Sequence, residues 1–233
     1  MSEKTNILIV FSSETEAYGL YKKLSDNNVE VKERRFFGIG NALFEIFISG
    51  IGIFAATYSV TKKICSGKYD LLINAGICGS YNEDLYIGDT VSVVLDEFAD
   101  TGVTFADNSF KTLFEEGLLN PDASPFSSGK LYNRFKSNVD TELPKVTAIT
   151  VNNVSGSPEQ IKLRKEKFDP DIETMEGAAV AYVALRNNIK FLQIRTVSNK
   201  AEPRNKNNWD IPLALNNLSE ELLRIINKIS LSE

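Results

Sequence analysis

Short apolar runs alternate with stretches of helical periodicity along most of the chain. Residues 6–12 (NILIVFS) form a continuous apolar run typical of a buried strand, and residues 15–24 have the pattern of a helix opened by Ser13. The same reasoning predicts further strands at residues 29–36, 42–49, 71–75, 90–98, 145–151, 172–174 and 191–197. It predicts further helices at residues 53–64, 158–168, 176–187 and 209–231, with Pro158 at a first helical position.

Strands followed by helices predict an α/β fold with three layers, α/β/α, around a central mixed, mostly parallel sheet. Residues 100–142 interrupt this alternation and are predicted to be an insertion with a short helix near residues 110–116. Gly76 is predicted to close the strand at residues 71–75, and residues 203–208 form a polar loop. Because no repeat or linker is visible, we expect residues 1–233 to be a single domain.

Composition narrows the class of protein. A net charge of −5 argues against a nucleic-acid partner, because neutralising phosphates requires clustered Lys and Arg. The chain has no run of 18 apolar residues, and its N-terminus leads directly into a strand. We therefore expect a cytoplasmic protein without a membrane span or signal peptide, whose two cysteines are reduced thiols.

The chain contains no histidine. This absence excludes Ser-His-Asp and Cys-His nucleophilic systems as well as any metal site built on histidine. Acid and base chemistry must come from carboxylates, Lys, Tyr or Cys. No metal or organic cofactor is implied.

Polar and glycine-rich segments follow five of the predicted buried strands. They are residues 12–16 (SSETE), 76–80 (GICGS), 152–157 (NNVSGS), 175–177 (MEG) and 198–199 (SN). If the strands are parallel, all five segments meet at one edge of the sheet, where α/β proteins bind ligands. The edge would then carry the carboxylates of Glu16 and Glu176 and the carboxamide of Asn199.

Each of these three residues also has a purely structural interpretation. Ser13 and Glu16 have the spacing of a capping box. Glu176, at the start of a helix, is favoured by the helix dipole, and Asn199 could be an ordinary turn residue. Their joint occurrence at predicted strand ends favours the functional interpretation.

Several motifs resemble the purine nucleoside phosphorylase and nucleosidase superfamily. They are NILIVFSSETEA, SGIGIFAA, INAGICGS, VSGSPEQI, ETMEGAAVAYV and IRTVSNKAEPRNKNNW, and they extend from residue 6 to about residue 215. The glutamate motif TMEGAA is the most specific of them. Within the superfamily, SN-x-x-E-PR-x(4)-W, VNNVSGS and DEFADTGV followed by LFEEGLL look like the futalosine hydrolase branch.

The resemblance implies a role for each polar residue. Glu176 would hold the ribose 2′ and 3′ hydroxyls, with Met175 packing on the sugar, and Glu16 would be the catalytic base that activates water. Asn199 would face the departing purine. Its carboxamide nitrogen has two N–H donors, which match the O6 and N7 acceptors of a 6-oxopurine such as hypoxanthine, unless Asn199 only orders its loop.

Four further residues are expected to line the base subsite. The backbone of Val154 matches the family's main-chain contact with the purine edge, and Gly76 would let the backbone approach the ligand, with Ile77 beside it. Asn153 stands where the methylthioadenosine/S-adenosylhomocysteine nucleosidase branch stacks an aromatic ring on the base. The stacking partner is therefore left open.

Arg204 and Trp209 are candidates for the 5′ end of the substrate. Futalosine has an aryl carboxylate beyond its 5′ carbon, and a cation beside an apolar wall would suit that group. The alternative is that Arg204 is a solvated loop charge and Trp209 an anchor at the start of the last helix.

Three other functions stay open beside futalosine hydrolysis. A methylthioadenosine/S-adenosylhomocysteine nucleosidase is disfavoured because that branch has Asp at the position of Asn199. A purine nucleoside phosphorylase is disfavoured because Glu16 would repel phosphate and no Gly-Asp-Pro-x-Arg loop follows the first strand. A non-catalytic nucleoside-binding protein would have little use for both Glu16 and Glu176. The expected ligand is a purine nucleoside, and the resemblance implies a homodimer.

Overall fold

A computed structural model describes residues 4–26, 30–33, 36–133 and 141–231 of the chain. Its strands are β1 (Thr5–Phe11), β2 (Glu30–Glu33), β3 (Phe36–Ile39), β4 (Ala42–Ile48), β5 (Leu71–Ser80), β6 (Thr90–Phe98), β7 (Gly102–Thr104), β8 (Phe110–Thr112), β9 (Leu131–Tyr132), β10 (Lys145–Thr150), β11 (Ile172–Thr174) and β12 (Lys190–Lys200). Its α-helices are α1 (Glu14–Asp26), α2 (Ile53–Cys65), α3 (Pro158–Phe168), α4 (Gly177–Arg186) and α5 (Ile211–Leu231), and a 3₁₀ turn covers Lys206–Asn208.

The large sheet is mixed. Its strand order is β11-β10-β6-β12-β5-β1-β4-β3-β2, and β9 pairs with β6 outside this path. Strands β4, β1, β5 and β12 are parallel to their neighbours in this run. The direction reverses between β12 and β6, and β10 and β11 then run parallel to β6. This mixed sheet agrees with the predicted α/β class.

One additional pairing closes part of the sheet on itself. Strand β11 pairs antiparallel with the end of β5, through Ile172 opposite Ser80 and Glu173 opposite Gly79. Strands β5, β12, β6, β10 and β11 therefore form a ring. A hydrophobic cluster includes residues from all five of these strands, among them Cys78, Val91 and Ile172.

The alternation of side chains along β1 explains the three layers. Ile7 and Ile9 point to one face, where α1 and α5 pack through residues such as Leu20 and Leu222. Leu8 points to the opposite face, which α2 and α4 cover with small and β-branched residues. No helix among the described residues is long and apolar enough to cross a membrane.

Two predicted elements have a different structure. The helix expected near residues 110–116 is wrong, because Phe110–Thr112 is β8, pairs with β7 and leads into turns. Phe114 instead packs against Phe126, 5.1 Å between ring centroids. The strand predicted over residues 29–36 is two strands, since β2 pairs antiparallel with β3; Val29 and residues 34–35 lie outside the described residues.

The strand predicted at residues 71–75 is longer than expected. Gly76 does not close it, because β5 continues to Ser80 and pairs with β12 beyond that glycine. The assumption of parallel strands is also wrong for β10 and β11, which run opposite to β5 and β12. Long-range pairing, which a local pattern does not report, sets both features.

The packing of α5 gives a stability prediction. Leu222 is fully buried under the sheet, whereas Leu231 on the same helix is 82% exposed. Leu222→Ala should lower the free energy of unfolding by about 2–5 kcal/mol through lost burial and a residual cavity. Leu231→Ala, the matched control, should change it by less than about 0.5 kcal/mol. Urea denaturation measures both, and equal effects would contradict this account of the core.

Candidate active site

A cavity of about 390 Å³ lies where the five polar segments meet. Its walls include residues from all five segments, although the strands before two of them run in the opposite direction. The closed ring explains this convergence, because it places the three-residue strand β11 beside the last residues of β5. Eight of the ten predicted site residues line the cavity: Glu16, Ile77, Val154, Met175, Glu176, Asn199, Arg204 and Trp209.

Three donors hold the carboxylate of Glu16 at the cavity wall. One oxygen, Oε1, accepts from the amide of Ile77 at 3.1 Å. The other, Oε2, accepts from the amide of Ser12 at 3.1 Å and from the Ser12 hydroxyl. The Glu16 amide donates to Ser13 Oγ, so half of the predicted capping box is present. The carboxylate accepts from Ser12 in place of the Ser13 amide, and its bond to Ile77 links α1 to β5.

Gly76 provides space for two charged side chains. A β-carbon at this position would lie 2.7 Å from Glu16 Oε1 and 2.8 Å from Arg195 Nη1, so no other residue fits without displacing them. Gly76 is not among the residues lining the cavity. Its missing side chain therefore admits Glu16 and Arg195, where we had expected close approach of a ligand.

Arg195 was not among the predicted site residues. Its side chain is only 2% exposed, and its Nε and Nη2 have no hydrogen-bond partner among the described residues. Burying a guanidinium costs free energy, and the carboxylate of Glu176 beside it offsets part of that cost. The signal was available, because Arg195 is the one charged residue in the predicted strand FLQIRTV.

Glu176 lies where β11 leads into α4 and lines the cavity together with Met175. Its Oε1 accepts from the amide of Gly52 at 2.7 Å, and Gly52 has a φ of 89° that favours glycine. Burial raises the pKa of Glu176; the Gly52 amide and Arg195 oppose the rise, and Glu16 adds to it. The two carboxylates and Arg195 thus form one electrostatic unit.

Asn199 lies near the end of β12 and lines the cavity beside Ser198. Its Oδ1 accepts from Ser198 Oγ at 2.8 Å, and its Nδ2 donates to the carbonyl of Lys200 at 2.9 Å. In this orientation, the second N–H of the carboxamide is left for a ligand acceptor.

Cys78 also lines this cavity. Burial raises the pKa of its thiol to about 12, so the thiol is neutral.

Val154 and Asn153 have different surroundings. Val154 lines the cavity, and neither its amide nor its carbonyl forms a hydrogen bond with the described residues. Asn153 is exposed and is not a lining residue. Its amide donates to Asp100 Oδ2 at 3.0 Å and its carbonyl accepts from Arg164. The structure therefore gives Asn153 a place in the loop but no contact with the cavity.

Arg204 and Trp209 come together at one side of the cavity. The guanidinium carbon of Arg204 lies 5.0 Å from the centre of the Trp209 ring, a distance typical of a cation–π contact. Two backbone bonds tie the ends of their loop, from Ala201 to Ser80 and from Asp210 to Ser198. Ile211 and Leu215 continue the apolar wall beyond Trp209.

Comparison with known proteins places this arrangement in a family. The profile of the Phosphorylase superfamily matches residues 6–229. A 5′-methylthioadenosine/S-adenosylhomocysteine nucleosidase of Bacillus licheniformis is 26% identical, over 96% of this chain and 99% of the relative. A futalosine hydrolase of Thermus thermophilus is 25% identical, over 81% of this chain and 84% of the relative.

A solved structure of one of these enzymes has the same fold. The native structure of futalosine hydrolase from Helicobacter pylori superposes with a TM-score of 0.78 at 17% identity, covering 96% of this chain and 98% of that one. At this identity the likeness concerns the fold, while the match over residues 6–229 concerns the sequence. The chain therefore belongs to the Phosphorylase superfamily.

Proposed function

We propose that this protein hydrolyses the N-glycosidic bond of futalosine, releasing hypoxanthine and dehypoxanthine futalosine, a reaction of menaquinone biosynthesis. One observation supports this most strongly. One cavity is lined by the carboxylates of Glu16 and Glu176 and by the carboxamide of Asn199, while a third lining carboxylate, Glu173, is paired with Arg164. The coarser conclusion, an N-glycosidic bond hydrolase, agrees with the names of both relatives.

The two carboxylates suit hydrolysis of a nucleoside. Glycosidic cleavage passes through an oxocarbenium-like state, which nearby negative charge stabilises. Glu176 accepts hydrogen bonds from the ribose hydroxyls. Glu16 takes a proton from the attacking water, whose oxygen bonds to C1′ as the bond between C1′ and N9 breaks. A phosphate dianion in the place of that water would meet the charge of Glu16, which favours water over phosphate as the nucleophile.

The leaving base is a 6-oxopurine in this proposal. The second N–H of Asn199 donates to the base, and the free amide and carbonyl of Val154 are available to its edge. Donation to O6 or N7 stabilises the electron pair that the base receives when the bond breaks. Asn199 has no acidic proton, so the proton that the base finally gains comes from water.

The pair of Arg204 and Trp209 supports a substrate that is longer than a simple nucleoside. A cation beside an aromatic and aliphatic wall fits an aryl carboxylate, the group that futalosine has beyond its 5′ carbon. The contact between the two side chains also holds the guanidinium in place before substrate arrives.

A homodimer completes the proposal. Three large apolar side chains on and before α2 are exposed, namely Ile51 at 63%, Phe54 at 81% and Tyr58 at 69%. Ile51 also lines the cavity, so a second copy that covered this strip would border the substrate.

The second candidate function is a methylthioadenosine/S-adenosylhomocysteine nucleosidase, which the name of the Bacillus licheniformis relative supports.

The direct test is a substrate panel. Purified protein is incubated with futalosine, inosine and methylthioadenosine, with and without phosphate, and the released base and sugar are identified. We expect hypoxanthine from futalosine at a rate independent of phosphate, and a loss of about 10²–10⁴ in kcat for Glu16→Gln. Adenine from methylthioadenosine would favour the second candidate, and a sugar phosphate would exclude hydrolysis.

Asn199→Asp tests the choice of base. A protonated carboxyl group can donate to N7 while its other oxygen accepts from a 6-amino group, so preference should move towards adenine. We expect the ratio of kcat/KM for adenosine to that for inosine to rise by about tenfold or more. An unchanged ratio in an equally stable variant would mean that Asn199 does not contact the base.

Arg204→Ala tests the subsite for the 5′ group. The KM for futalosine should rise by about tenfold, the usual effect of losing a charge-assisted bond, whereas the KM for inosine should stay constant. Lys206→Ala is the matched control, because Lys206 is an exposed cation of the same loop outside the cavity lining. If both variants raised the KM for futalosine equally, the positive charge of the loop would attract the substrate in general, and Arg204 would have no specific role.

A further inference from the structure

A buried ion pair borders the cavity, because Glu173 is one of its lining residues whereas Arg164 lies outside the lining. Arg164 of α3 and Glu173 of β11 are 3% and 7% exposed, and their closest atoms are 2.8 Å apart. Burying two charges costs free energy that their attraction often does not recover, so such a pair is weak evidence of stabilisation. Its other contacts indicate what it does.

Both members of the pair bind the loop that contains Val154. Arg164 Nη2 donates to the carbonyl of Asn153 at 2.6 Å. On the other side, Glu173 Oε1 accepts from the amide of Ser155 at 2.8 Å, and Glu173 Oε2 accepts from its hydroxyl at 2.6 Å. The residues before and after Val154 are therefore fixed by opposite charges. Val154 itself lines the cavity, and its amide and carbonyl form no hydrogen bond with the described residues.

Tyr81 joins this network from the chain that follows β5. Its hydroxyl lies 2.5 Å from Ser155 Oγ and 3.0 Å from Glu173 Oε2. Burial and the charge of Glu173 raise the pKa of Tyr81, so the group stays a donor. Arg164 Nη1 also donates to Ser155 Oγ at 2.7 Å, which gives this hydroxyl three polar neighbours.

The network is in register with Asn199. Glu173 lies opposite Gly79 in the β11–β5 pairing, and Gly79 lies opposite Asn199 in the β5–β12 pairing. A β-carbon on Gly79 would lie 3.2 Å from Asn199 Nδ2, so the carboxamide packs directly over this strand. Glu173, Gly79 and Asn199 thus lie in one row across three strands. This row connects the network that supports Val154 to Asn199, the side chain proposed to bind the same base.

We propose that Arg164, Glu173, Tyr81 and Ser155 are positioning residues that hold the Val154 peptide groups at the distance from Asn199 that a 6-oxopurine edge requires. This inference rests on the proposed function, because it assumes that the base lies between Val154 and Asn199. The residues act through the loop, and none of them needs to touch the reacting atoms.

The test compares two tyrosines in matched settings. Tyr69 donates to the buried carboxylate of Glu45 at 2.7 Å, just as Tyr81 donates to that of Glu173, but it precedes β5 at the end opposite the cavity. Tyr81→Phe and Ser155→Ala should weaken binding of free hypoxanthine by about three- to tenfold, measured by calorimetry. They should also reduce the preference for inosine over adenosine, whereas Tyr69→Phe should change neither quantity.

The outcomes separate the two proposals. If Tyr81→Phe and Ser155→Ala both bind hypoxanthine as tightly as the wild type, the positioning role is overturned. This holds even if both variants, like Tyr69→Phe, have lower melting temperatures. A wild-type protein that binds hypoxanthine but does not cleave futalosine would overturn the hydrolysis alone. Glu173→Gln is the stronger variant, and the two milder ones decide the question if it does not fold.

Discussion

The antiparallel contact between β11 and the end of β5 is the constraint on which the site depends. It consists of two residue pairs, yet it closes five strands into a ring and brings Glu176 to the side of the cavity facing Glu16. Strands β10 and β11 run opposite to β5 and β12, yet this pairing places the three residues of β11 beside the last residues of β5.

The charges of the cavity are arranged before any ligand arrives. Glu16 and Glu176 give the cavity wall a negative charge, and the buried guanidinium of Arg195 limits the cost of placing them near each other. Fixed donors from Ser12 and Ile77 keep Glu16 in place. In the proposed hydrolysis, such preorganisation is effective because the groups need not reorient as charge develops on the ribose.

The local pattern of apolar and polar residues was enough to find most of the elements and the polar segments around the cavity. Apolar runs mark buried strands, and capping residues mark the starts of helices. It could not give strand direction, since the reversal between β12 and β6 comes from pairings distant in sequence. Gly76 was misread as a turn residue for a related reason, because its neighbours Glu16 and Arg195 come from other elements. Phe110 entered a strand because β7 was available as its partner.

Trp209 is the chain's one tryptophan, and it lines the cavity with Arg204 5.0 Å from its ring. Its indole is half-buried, beside a cation that a bound carboxylate would draw away or neutralise. The protein consequently contains a single indole fluorophore, located in the wall of the cavity. Its emission responds to the polarity and charge of that site, without background from any second indole.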